Sequence, residues 1–256
     1  MTQELYNPMS SYVTISVDDG HPTDLRMAQL LDKYGLKATF YIPANNPERE
    51  VIAEKEVREL SCRFEIGGHT ISHLSLTTMN EQRAWSEIDG CKKWLEDLLS
   101  SAVPSFCYPQ GKFNKQSERL VAKAGFAGAR TCLFNLSDFP NNPFLWGVST
   151  HAYSHPAHIQ VRHALLEGNF RGAWNYTTRY KRVTNWASHF LLSLDHVQKQ
   201  GGIAHLFLHS WEIDQLNDWE EVESVFANIS KASTVKRVTN GELFKMRNSI
   251  DKQRGA

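Results

Sequence analysis

Apolar runs without polar alternation are the feature that most restricts what this chain can fold into. Residues 12–17 (YVTISV) and 202–209 (GIAHLFLH) are nearly continuous and rich in branched side chains. A strand with one wet face alternates apolar and polar residues. A strand buried on both faces does not, and such strands belong to parallel sheets covered by helices. Helical stripes lie between the runs. Leu25, Ala28 and Leu31, with Leu30 and Tyr34, form one, opened near Pro22 and closed by Gly35. Ala84, Ile88, Cys91, Leu95 and Leu98 form another. Further strands are expected at 37–42, 63–66, 104–109, 125–131, 144–149 and 234–238. Further helices are expected near 50–60, 114–124, 157–168, 186–200, 218–232 and 240–250. Strands alternating with helices make parallel βαβ units in one sheet or barrel, an α/β class. No linker, repeat or low-complexity tract interrupts the pattern, so residues 1–256 read as one domain.

Charge excludes some functions. Twenty-eight basic residues balance 28 acidic ones, which leaves no overall footprint for nucleic acid and no long basic run for a membrane surface. No stretch approaches the roughly 18 apolar residues of a membrane-spanning helix. Residues 1–17 lack the basic and apolar regions of a secretory signal, so a cytoplasmic location is expected. Cys62, Cys91, Cys107 and Cys132 form no CxxC pair. They read as reduced thiols filling a core.

The informative polar residues sit at strand ends. Asp18 and Asp19 close the first strand, His69 and His73 follow the third, Tyr108, Gln110 and Gly111 follow the fourth, and His209 ends the run at 202–209. The C-terminal strand ends of a parallel barrel share one rim, where active sites are built. His69 and His73 are four apart, one helical turn, so both rings can face one ligand. Two ordinary polar residues at a helix start have the same spacing. Adjacent carboxylates are costly to place together without a cation. One carboxylate and two imidazoles suit zinc or a related divalent ion, leaving the other aspartate as a base. The competing reading of Asp18-Asp19-Gly20 is a turn with helix-capping carboxylates.

Four segments together, SVDDG (16–20), GHTISH (68–73), YPQG (108–111) and LFLH (206–209), resemble the polysaccharide deacetylase (NodB-homology) family, the family 4 carbohydrate esterases. The resemblance covers roughly residues 12–210. It implies a distorted (β/α)-barrel of seven strands and metal-dependent removal of an N-acyl group from an amino sugar. It also implies roles: Asp19, His69 and His73 as metal ligands, Asp18 as general base and His209 as general acid. Tyr108, Gln110, Gly111, Trp211 and His21 are the expected substrate contacts.

The chain departs from the family pattern in two places. Where the third motif usually reads Arg-Pro-Pro-Tyr-Gly, this chain has Cys107-Tyr108-Pro109-Gln110-Gly111. The arginine that orients the base is therefore missing. Arg130 and Arg26 could replace it, although each also reads as a surface residue. The family's Asp-Trp motif is not evident, and residues 144–156 stand in that region. In residues 133–184, the aromatic residues with His151 could line a sugar cleft. His155, His158 and His163 read there as surface histidines of a loop-rich lid. Glu212 and Asp214 read as the start of a helix. The expected substrate is an N-acetylated amino sugar or a surface-glycan precursor. A deformylase, an allantoinase-like C–N hydrolase and a non-catalytic carbohydrate binder are the competing functions.

Overall fold

The computed structural model describes residues 10–254; the N-terminal reading over residues 1–9 lies outside them. Strand β1 (Ser11–Asp18) leads to helix α1 (Asp24–Lys33), β2 (Thr39–Ile42), α2 (Glu54–Ser61) and β3 (Glu65–Gly68). Helix α3 (Glu81–Leu99), β4 (Ser105–Cys107), α4 (Lys115–Lys123) and β5 (Gly128–Arg130) follow. The second half holds β6 (Thr150–His151), α5 (Ala157–Leu166), α6 (Phe170–Thr178), α7 (Trp186–Gln200) and β7 (Gly202–Leu208). Helices α8 (Ser210–Leu216) and α9 (Trp219–Lys231), β8 (Lys236–Arg237) and α10 (Asn240–Arg254) complete the order.

Seven strands lie side by side in the order β5-β4-β3-β2-β1-β7-β6, and β8 pairs with β1. All of these pairings are parallel. The two runs that dominate the sequence are neighbours: β1 and β7 pair from Ser11↔Gly202 to Val17↔Leu208. Both are buried along their whole length, as strands covered on two faces must be. The chain between β5 and β6 draws the sheet round into a distorted barrel: Trp146 bridges Arg130 of β5, while Thr150 and His151 pair with Leu206 and Phe207.

Residues 144–149 therefore differ from the continuous strand expected there. Only Trp146 makes a bridge, because the segment alternates its backbone bonds between two loop stretches. Val148 N–H donates to Leu133, and Leu136 N–H donates to Val148. Helix α6 was not expected from the sequence, and the helix start read at Glu212 and Asp214 is a separate short helix, α8. The cysteine reading holds for Cys91 and Cys107, which are buried, whereas Cys62 is exposed and Cys132 only partly covered.

The opposite end of the barrel from the rim is polar. Glu65 accepts from Ser105 Oγ at 3.0 Å and from the Gly241 N–H at 2.8 Å, and Asn240 Nδ2 donates to Tyr41 at 2.9 Å. The start of α10 is thus bonded into the barrel from below, and functional groups gather at the opposite rim.

Candidate active site

Adjacent side chains on a strand point to opposite faces, so Asp18 and Asp19 should diverge. They do not, because Asp19 has φ +82° and Gly20 φ +64°, which end the alternation at the strand terminus. Both carboxylates turn inward and are buried. Asp18 Oδ2 is ion-paired with Arg130 and accepts the Cys107 thiol at 3.4 Å, while its Oδ1 is buried without a hydrogen-bond partner. Asp19 Oδ2 accepts the Trp211 indole N–H at 2.9 Å. Asp19 Oδ1 faces His73 Nε2 at 3.1 Å and His69 Nε2 at 3.7 Å. Burial alone would raise the Asp19 pKa. The His69 and His73 contacts, with the charge of His209, instead hold it well below the carboxylate range.

The histidines meet without a helix. Residues 69–75 form a loop in which Thr70 (φ +67°) and His73 (φ +53°) are both left-handed. The spacing of four is therefore not a helical turn, and the rings lie 4.9 Å apart through loop geometry. Thr70 fixes the loop by accepting the His73 N–H at 3.0 Å. A carbonyl can only accept, so His69 Nδ1, 2.9 Å from the Cys107 oxygen, carries a proton. In the neutral ring Nε2 is then the bare nitrogen, and it points at the aspartates. Gly67 is needed before this loop, since a Cβ there would lie 2.4 Å from the Tyr41 ring.

His209 follows β7 at the same rim. Its Nδ1 lies 2.6 Å from Glu212 Oε2, and its Nε2 lies 3.9 Å from Asp19 Oδ2. The same Glu212 oxygen is 3.0 Å from His151 Nε2. Burial works against charge on His209, but the Glu212 bond and the Asp19 charge win and raise its pKa. His151, partly buried beside His209, moves the other way, desolvation outweighing its Glu212 contact. Glu212 itself is held low by both rings against the opposing effect of burial.

The remaining expected residues are placed less uniformly. Trp211 lies under Arg49, whose guanidinium is 3.5 Å from the ring centroid. Tyr108 is fully buried between Phe106 and Phe113. Strand alternation sends Cys107 toward Asp18 and Tyr108 away from it. The Tyr108 and Gly111 N–H groups donate to the Arg130 and Tyr108 carbonyls. Gln110 is exposed at φ +57°. His21 is bonded to Thr23, 2.8 Å from its Oγ1, at the start of α1. Of the two arginines offered as replacements for the family's, Arg130 is 0% exposed and grips Asp18, while Arg26 is the surface residue, paired with Asp214 at 3.5 Å. Sequence reasoning missed one group. Glu212 was taken for a helix start, although its spacing of three from His209 was a usable signal.

The middle segment builds a cavity of roughly 130 Å³ beside this rim, with Asn135, Thr150, His151, His163, His189 and Phe207 among its lining. His155, partly covered, and His163, exposed as expected, both line it, whereas His158 is exposed and does not. Both amide atoms of Asn135 and the Nε2 of His189 are buried without hydrogen-bond partners. Such groups can bond water or a polar ligand.

Three sets of ligand-type atoms converge within 4.8 Å: Asp19 with His69 and His73; Asp18 with His69 and Cys107; His151 with His209 and Glu212. The first fits a divalent cation best. It combines a buried carboxylate oxygen lacking a hydrogen-bond partner with an imidazole nitrogen left bare by its second-side bond.

Residues 6–129 match the model of the polysaccharide deacetylase family. The Bacillus subtilis protein YxkH, named for the same family, is 30% identical over 122 residues, 46% of this chain and 44% of that protein. The chain thus matches less than half the length of this curated relative. A Mycobacterium smegmatis protein named for the family superposes with a TM-score of 0.64 at 12% identity, covering 98% of this chain and 95% of that one. The chitin deacetylase of Colletotrichum lindemuthianum gives 0.58 at 14% identity, covering 91% and 87%. These two likenesses establish the fold. The family match ends one residue before Arg130, so Arg130, His209 and Glu212 all lie outside it.

Proposed function

We propose that this chain is a metal-dependent hydrolase that removes an N-acyl group, an acetyl group first of all, from an amino sugar or surface-glycan precursor. The observation that carries this is the meeting of Asp19, His69 and His73 beside a second buried carboxylate with its own arginine. Asp19, His69 and His73 would hold the cation, with zinc the natural match to two nitrogens and one oxygen. When bound, it supplies Lewis-acid polarisation of the acyl carbonyl and a water of lowered pKa.

The chain's own groups do the rest. Asp18, gripped through Oδ2, has Oδ1 available to accept a proton from the attacking water. Glu212 accepts from His209 Nδ1 and favours the charged ring, in which Nε2 also carries a proton. As oxygen adds to the carbonyl carbon and the C–N bond breaks, His209 protonates the departing amine. The products are a carboxylate and a free amino sugar. The cavity beside His151 would take the sugar, with Asn135 and His189 as polar contacts and Trp211 holding Asp19 from behind. Residues 1–256 would act as one catalytic domain. Free thiols suit the reducing cytoplasm.

Calorimetry on chelator-stripped protein tests this. Wild type should bind one zinc tightly, and His69→Ala/His73→Ala should not. Asp18→Asn should keep the zinc and lose acid release from N-acetylated sugars. Zinc binding unchanged by the double replacement would refute the site. Acid release only from formylated sugars or cyclic ureides would reassign the substrate.

A further inference from the structure

Five large apolar side chains stand well exposed among the described residues, and four of them fall within ten positions. They are Leu165 (48%), Leu166 (73%), Phe170 (69%) and Trp174 (69%). The leucines end α5. Phe170 and Trp174 are one turn apart on α6 and share a face. The two leucines also wall an apolar groove, together with Val161, Arg162 and Arg182.

The charge here departs from the balance of the whole chain. Residues 157–182 carry Arg162, Arg171, Arg179, Lys181 and Arg182 against the single acid Glu167. Arg162, Arg171, Lys181 and Arg182 are exposed, with Arg171 paired to Asp138 at 2.8 Å. Overall neutrality hid this segment from the composition. Leucine, phenylalanine and tryptophan interleaved with arginine match a lipid–water interface: the apolar groups enter the acyl boundary and the cations meet anionic headgroups. A second copy of the chain fits less well, because two such segments would repel. Nucleic acid would use the arginines but leave the leucines in water.

We propose that α5 and α6 seat the protein on an anionic lipid surface. Gln160 and His163 of α5 line the cavity beside His151, so the docked elements also wall that cavity. If the catalytic reading above holds, a sugar carried on a lipid anchor is the substrate class that this placement serves. The docking itself does not rest on that reading.

The test is co-sedimentation of the full chain with vesicles of phosphatidylcholine alone or mixed equally with phosphatidylglycerol. Binding to the mixed vesicles only, weakened by salt, is expected. Arg162→Gln/Arg182→Gln should lower partitioning about 30-fold, from about fivefold per cation. Phe170→Ser/Trp174→Ser should lower it at least as much. All four positions are exposed or line an open groove, so both variants should keep the wild-type circular dichroism spectrum and zinc titration. No binding to mixed vesicles, equal binding to both kinds, or binding indifferent to both variants overturns the proposal. So does a wild-type dimer that Phe170→Ser/Trp174→Ser dissociates without any vesicle binding. None of these outcomes touches the zinc result, so the two readings fail separately.

Discussion

Replacing Arg130 with methionine should cost the fold about 3–5 kcal/mol. The side chains of Arg130 and Asp18 are 0% and 3% exposed, so removal of either leaves the other charge buried and unmatched. At an effective dielectric of about 20 and an ordinary ion-pair distance of about 2.8 Å, their attraction is roughly 6 kcal/mol. Loss of the guanidinium's own desolvation cost offsets part of that. Methionine keeps much of the packing against Phe207, whose ring centroid lies 4.3 Å from the guanidinium carbon. Urea unfolding of chelator-stripped protein measures the loss, which should lower the melting temperature by at least about 6 °C. The same replacement in an Asp18→Asn background should raise stability, since it then removes a buried cation with no carboxylate opposite. A single-variant loss under about 1 kcal/mol, or no coupling between the two positions, would refute the pairing as the brace of Asp18.

Two further outcomes are expected. Trp211→Phe removes the indole N–H from Asp19; zinc affinity should fall about 10–100-fold with the fold intact, as read by calorimetry. Burial lowers the His189 pKa to about 4, so its share of stability is complete above its unfolded pKa of about 6.5. That share should be lost as pH falls from there toward 4, on the order of 3 kcal/mol. His189→Gln should flatten the stability profile across that window, and an unchanged profile would count against the shift.

Much of the scaffold was legible in the sequence because buried parallel strands leave an unambiguous mark. The run at 12–17 lacks alternation for the same reason that β1 has no wet face. Residues 144–149 carried a similar mark, yet their backbone bonds go to loops whose course no local pattern reveals. Asp18, Asp19, His69, His73 and His209 were readable as residue types at strand ends. How they converge was not. The left-handed residues at 19, 70 and 73 do that work, and only Gly20 beside them announces such a backbone. Arg130 could be named but not chosen over Arg26, because its partner is 112 positions away in the chain. Glu212 was missed because a glutamate entering a helix is unremarkable until a histidine three residues earlier turns out to need it.

The pairing of Cys107 with Arg130 across β4 and β5 has a wider consequence. The family motif places its arginine at the site of Cys107, and here the cation arrives from the adjoining strand at the same depth. Parallel register sets positions 107 and 130 at the same level of the rim, so a cation at either could reach Asp18. A string search along the chain finds one position empty and scores a broken motif. A comparison of ring positions finds the charge present.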